Sequence, residues 1–156
     1  MINVTDPYHL RVVGHRDTPG IATGITCDDD FCYIADYVNG LRIYRVNRPE
    51  APVLFGYVPT PGYACAVAVQ GDFAYVADWN NLQIVDVSNH GDPQPRGSLG
   101  MPDEAWGVDV AGQRAFVATL SGGVRIVDVS DPSAPRETGF VITPGLARGV
   151  TVVEWR

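Results

Sequence analysis

An all-β array of four-stranded antiparallel blades, of the β-propeller type, is the fold class the sequence predicts, and three observations predict it. First, the stretch from Ala64 to Val87 holds three short apolar runs split by Gly71-Asp72 and by Asn80-Asn81, the pattern of successive antiparallel strands joined by tight turns. Second, Val46, Val87 and Val129 end equivalent runs 41 and 42 residues apart, and a period in the forties marks a repeat array. Third, the register holds at positions that share no chemistry. Ten residues after Val4, Val46, Val87 and Val129 stand Gly14, Gly56, Gly97 and Gly139. Fifteen after stand Pro19, Pro61, Pro102 and Pro144, and eighteen after stand Ala22, Ala64, Ala105 and Ala147. Four strands in about 42 residues is the size of a propeller blade. A sandwich or closed barrel also has many short strands, but neither requires the same Gly, Pro and Ala at a fixed period; a parallel β-helix needs shorter coils.

Taken in order, the first copy places strands at 10–15, 23–27, 31–35 and 41–46, with Asp17-Thr18-Pro19-Gly20 as a turn and Asp28-Asp29-Asp30 at a hairpin tip. The second places them at 53–58, 65–69, 73–77 and 82–87, and the third at 96–99, 106–110, 115–118 and 124–129. A fourth starts with strands at 137–142 and 149–153. The repeats therefore run 5–46, 47–87 and 88–129, with a partial copy at 130–156, and the chain reads as a single propeller or a portion of one. Missing strands leave unpaired backbone groups, which recruit another strand, and terminal repeats without polar caps lack a neighbour to bury against. Self-association, or completion by another chain, is the expectation.

Composition agrees. The chain is 46% hydrophobic and 19% charged, against roughly 25% charge in an average soluble domain, which suits strands buried on both faces. The net charge is −7, and all eleven basic residues are Arg; nucleic-acid binding, which needs a basic patch, is not expected. No run approaches the roughly 18 apolar residues of a membrane span. Met1-Ile2-Asn3-Val4 does not read as a secretory signal, because Asn3-Val4-Thr5-Asp6-Pro7 aligns with Asp128-Val129-Ser130-Asp131-Pro132 and already lies in a repeat.

Leu-Gln-Ile-Val-Asp-Val-Ser at 82–88 and Val-Arg-Ile-Val-Asp-Val-Ser-Asp-Pro at 124–132 resemble the LVIVD repeat, as do Phe-Ala-Tyr-Val-Ala-Asp at 73–78 and Thr-Pro-Gly-Tyr-Ala at 60–64. The departures are Tyr44-Arg45 in place of Val-Asp, and Thr119 where the pattern has Asp. The resemblance implies a propeller of the bacterial and archaeal kind that is often secreted or held at the cell surface, and it implies no particular chemistry. Similarity to other propeller repeats further places Val67, with Ile25, Val108 and Val150, on the strands nearest the axis, and the four recurring glycines on the outermost strands.

With that assignment the Thr-Pro-Gly loops and the loops after Ala-Asp share one face, which gathers Asp36, Tyr37, Tyr63, Asp78, Trp79 and Trp106. Exposed aromatics beside carboxylates suit recognition of a protein or a glycan. The commoner role of such residues is structural, Asp as a turn former and Tyr or Trp as packing between blades. His9, His15 and His90 occupy no matching position, so no zinc or haem site, and no other cofactor, is expected. Asp36 and Asp78 could share in a Ca²⁺ site, although turns or bonds between blades are the simpler use of them. Cys27 and Cys32 flank a hairpin tip on facing positions, where either a disulfide or two buried thiols fits; Cys65 leaves the count odd. A noncatalytic scaffold or binding module is the preferred function. The alternatives are a structural subunit of an oligomer or fibre, and a metal-dependent hydrolase or lyase, which should break the repeat with a singular constellation.

Overall fold

The computed structural model describes residues 1–153, and these form strands with no helix. A two-residue pair, β1 (Ile2–Asn3) with β2 (Arg11–Val12), comes first. The first blade follows as β3 (Gly24–Cys27), β4 (Phe31–Ala35), β5 (Leu41–Arg45) and β6 (Val53–Val58), antiparallel and paired in chain order. The remaining strands are β7 (Ala64–Gln70), β8 (Phe73–Asp86), β9 (Gln94–Ala111), β10 (Arg114–Thr119), β11 (Gly123–Asp128) and β12 (Arg136–Val141), in one sheet ordered β12-β11-β10-β9-β8-β7.

That six-stranded order conceals two blades, because β8 and β9 each supply two blade strands. The Val87 N–H donates to the Asp72 carbonyl at 2.8 Å, so the two ends of β8 meet and the strand doubles back around Asn80. The same closing bond links Val46 to Asp30 at 2.7 Å and Val129 to Gln113 at 2.9 Å. Strand β9 serves as the outer strand of the second blade through Gly97, opposite Ile84, and as the inner strand of the third through Val108, opposite Val117. Three four-stranded blades result, with the meander inferred for each.

Burial follows the two-residue period of the strands. Tyr33, Leu41 and Ile43 of the first blade meet Val67, Val76, Val85 and Val87 of the second in one core. Tyr75, Leu82 and Ile84 on the opposite face of the second blade meet Val108, Val117, Val127 and Val129 of the third. Each blade therefore seals the next, and on the other face of the first blade Cys32, Tyr44 and Val46 form a smaller buried cluster with Ile34 and Leu54 packed against it. Inner strands approach closely enough to demand small residues: a Cβ on Gly24 would lie 2.8 Å from Ala66 Cα, and one on Gly107 2.8 Å from Gly149 Cα. Three of the four outermost glycines, Gly14, Gly56 and Gly97, are explained by turns. A Cβ on Gly56 would lie 2.0 Å from the His90 carbonyl oxygen, in the turn between the third and fourth strands of the following blade.

Two expectations need correction. The strand at 10–15 shrinks to Arg11–Val12, since its only partner among the described residues is the two-residue β1. The strand at 149–153 does not form. Its residues do run where an inner strand belongs: Ala147 bridges Leu120, and the Val152 N–H donates to Asp109 Oδ2 at 2.7 Å. A strand needs a ladder, however, and none of the described residues supplies one on the open side of this segment.

Candidate functional site

The six residues singled out from the sequence do converge, in two layers. The aromatic layer is a continuous row. Tyr37 stacks on Tyr63 with centroids 4.4 Å apart and planes 12° off parallel. Tyr63 meets Trp79 edge to face at 5.2 Å, and Trp79 meets Trp106 at 5.7 Å. Arg148 extends the row, its guanidinium 5.8 Å from the Trp106 ring centre. The row thus crosses from the loop after β4 to the segment beyond the third blade. Tyr63 is 40% exposed, while Tyr37, Trp79 and Trp106 are half-buried.

Backbone conformation aims these rings. Tyr37 (φ 50°) and Trp79 (φ 55°) sit in the left-handed region, which costs a residue with a side chain roughly 1 kcal/mol or more. The cost is offset by pairing. The Tyr37 N–H donates to the Ala64 carbonyl at 3.1 Å and the Ala64 N–H returns the bond at 3.0 Å, tying the loop to the first residue of the next inner strand. Trp79 is the strand partner of Ala105, and Leu120 (φ 26°) bridges Ala147, whose N–H donates to the Leu120 carbonyl at 2.9 Å. Since Leu120 shares the geometry without an aromatic ring, the strain belongs to the repeat, and the ring is what this chain adds to it.

The carboxylate layer lies beneath. Asp36 and Asp78 are fully buried, and each is bonded to the Pro-Gly loop ahead of its blade. Asp78 Oδ1 accepts from the Thr60 hydroxyl at 2.6 Å and Oδ2 from the Gly62 N–H at 2.8 Å. Asp36 Oδ2 accepts from the Gly20 N–H at 3.2 Å and from Arg42 Nε at 2.9 Å, while its Oδ1 has no partner among the described residues. These acids brace loops under the aromatic row and do not face solvent. Among the described residues, no group of three or more His, Cys, Asp or Glu is placed to hold a metal ion.

The third copy achieves the same brace by exchange. Thr119 replaces the strand-end Asp and donates to the Gly123 carbonyl at 3.0 Å. The acid has moved across the gap to Asp103, which accepts from the Ser121 N–H at 2.9 Å and from the Ser121 hydroxyl. Those bonds hold the Asp103 carboxyl below its ordinary value. Asp103 aligns with Gly62, so the loss of one Asp and the gain of another were both visible in the sequence; their pairing was not. Trp106 is likewise fixed, its Nε1–H donating to Glu104 Oε2 at 3.1 Å.

The histidines go elsewhere. His90 stacks on Phe31 at 4.1 Å and lies 2.8 Å from the Tyr33 hydroxyl, on the opposite face. Burial, with Asp28 nearby, pushes that phenol up to about 12. Cys27 and Cys32 lie opposite each other in the β3–β4 hairpin and are joined as a disulfide. Cys65 is buried and free, its thiol pushed up to about 11 chiefly by burial.

The sequence profile described as the LVIVD repeat matches the chain three times, at residues 19–60, 61–99 and 102–143. No curated protein matches it at a significant level. Among solved structures, the crystal structure of the computationally designed Ika4 protein is similar over 92% of this chain and 87% of that chain, with a TM-score of 0.73 and 7% sequence identity. At that identity the likeness is one of fold alone.

Proposed function

Because the chain belongs to the LVIVD-repeat family, a group of β-propeller-type repeat scaffolds, we propose that it is a noncatalytic binding module whose aromatic row recognises a partner protein. The single observation that carries this reading is the unbroken row Tyr37–Tyr63–Trp79–Trp106, which continues across blade boundaries on one face. Rigid aromatic side chains with polar tips suit a protein interface, where they anchor binding with little loss of conformational entropy. A glycan is favoured less, since sugars stack on open ring faces and Tyr37 and Tyr63 cover each other's. Catalysis is not proposed: Asp36 and Asp78 are buried and occupied as loop braces. A secreted or cell-surface location is proposed with it, because the Cys27–Cys32 disulfide suits an oxidising compartment.

The test is to pan a random dodecapeptide phage library on the immobilised wild-type chain, with counter-selection on Trp79→Ala, and to probe a glycan array in parallel. Peptides that bind wild type and lose Trp79→Ala support the reading. Binding on the glycan array with no peptide enrichment replaces the partner class, and selected peptides that bind both chains equally overturn the surface.

A further inference from the structure

We propose that the open face of the third blade is a docking site for the N-terminal end of a second copy of this chain, so that copies add head to tail with the turn at 6–9 of one seated over Gly139 of the other.

The argument starts from three filled sockets and one empty one. A Cβ on Gly14 would lie 2.0 Å from the Pro49 carbonyl oxygen, one on Gly56 2.0 Å from that of His90, and one on Gly97 2.2 Å from that of Pro132. Each carbonyl belongs to the third residue after Val46, Val87 or Val129. At Gly139 a Cβ would meet nothing nearer than Ile126 Cδ1, at 3.9 Å. The glycine has been kept where no turn among the described residues needs it.

The matching plug stands at the other end. The three seated turns close with the same hydrogen bond: Ala51 N–H to Arg48 O at 2.9 Å, Asp92 N–H to Asn89 O at 3.0 Å and Ala134 N–H to Asp131 O at 3.0 Å. The His9 N–H makes that bond to Asp6 O at 3.2 Å, and the Tyr8 N–H donates to Asp6 Oδ1 at 3.0 Å just as Ser133 does to Asp131. Pro7 is the third residue after Val4, so its carbonyl holds the position that fills the other sockets. Among the described residues nothing seats this turn, and Tyr8 is 90% exposed.

The strands behind plug and socket agree. Val127 and Val129 are buried against the second blade, whereas their equivalents Ile2 and Val4 are 58% and 69% exposed. On the receiving side Phe116, Val124 and Ile126 are only half-buried, whereas their equivalents Tyr75, Leu82 and Ile84 are fully buried. Ile2 and Val4 of a second copy would cover the first set as Val127 and Val129 cover the second. The segment at 147–153 occupies the inner part of that face, beside Gly107, and leaves the part at Gly139 clear. This contact joins two different surfaces, so it propagates or closes into a ring.

The experiment is sedimentation velocity on the purified 16.8 kDa chain over a wide concentration range, with two variants. Gly139→Val fills the socket and Val4→Asp places a charge on the plug face. The wild type is expected to associate reversibly, and each variant alone to raise the concentration of half-association on the order of tenfold or more. Thermal midpoints of both variants, measured at dilution, should stay near wild type. Mixed together, the two variants should form one-to-one pairs that grow no further, since each retains the end the other lacks. A wild type that stays monomeric throughout, a Gly139→Val chain that associates as wild type does, or a mixture without pairs would each overturn the proposal.

Discussion

Replacing the recurring glycine by alanine, one blade at a time, should change the sign of its effect between Gly56 and Gly139. At Gly56 the new Cβ would sit 2.0 Å from the His90 carbonyl oxygen and 3.0 Å from Pro93 Cδ. The obstacle is backbone, so the whole turn at 88–93 must lift. Overpacking of this kind costs about 1–3 kcal/mol. Lifting the turn also loosens His90 from the Phe31 ring and the Tyr33 hydroxyl, and one lost hydrogen bond adds about 0.5–1.5 kcal/mol. The loss of about 1.5–4.5 kcal/mol corresponds to a fall of about 3–18 °C in melting temperature for a chain of this length. At Gly139 nothing obstructs the methyl group, and alanine in a strand gains about 0.5–1 kcal/mol over glycine; the midpoint should hold or rise by about 1–4 °C. The assay is thermal unfolding by circular dichroism at low micromolar concentration, below any self-association. If Gly56→Ala and Gly139→Ala shift the midpoint in the same direction by similar amounts, the glycines are not sockets for turns and the account of how blades lock together fails.

Val67→Asp should unfold the chain, because it places an unpaired charge in the core between the first two blades at a cost of several kcal/mol, comparable with a typical total stability of about 5–15 kcal/mol; a folded variant by near-ultraviolet circular dichroism would contradict that. Thiol titration should find one reactive group per chain in denaturant and none in the native state, since Cys27 and Cys32 are bridged and Cys65 is buried with its thiol near 11; three groups in denaturant would remove the disulfide. Urea midpoints should fall in alkali. Cys65 and Tyr33 keep their protons in the native chain up to about 11 and about 12, whereas the unfolded chain loses them from about 9.0 and 10.0, so stability present below those lower values is lost as pH climbs through the higher ones. In acid the sign reverses: Asp103, Asp128 and Asp131 are held below 3.8 by their serine partners, and the stability they contribute above that value is lost as pH falls through their native range. A midpoint that rises between about pH 9 and pH 11 would contradict the alkaline arm.

The blade was legible because its constraints are local and repeat. Gly56 and Gly97 exist for a turn that returns in every copy, and the alternation of Tyr75, Ala77, Leu82 and Ile84 marks a buried face whatever covers it. The segment at 149–153 carries the same pattern and forms no strand, since a strand depends on a neighbour that its own residues do not specify. Sequence also put Tyr37, Tyr63, Trp79 and Trp106 on one face, by counting strand reversals. It could not order them into a row, because each contact joins loops from different strands, nor find Arg148, which aligns with Cys65 and Trp106 and shares no chemistry with the first. Asp36 and Asp78 lie with the aromatics but are buried. They share the face, but the strand-end position that makes Asp a good turn acceptor also draws it inward, beneath the loop it braces.

The affinity of a selected peptide for Trp79→Ala, measured by calorimetry beside wild type, tests the recognition surface most directly. Trp79 touches both Tyr63 and Trp106, so truncating it opens the middle of the row. A central anchor of this type is worth about 2 kcal/mol or more, and the dissociation constant should rise by roughly 30-fold or more while the circular dichroism spectrum stays that of the wild type. An unchanged dissociation constant in a folded Trp79→Ala chain would show that the row only packs blades together.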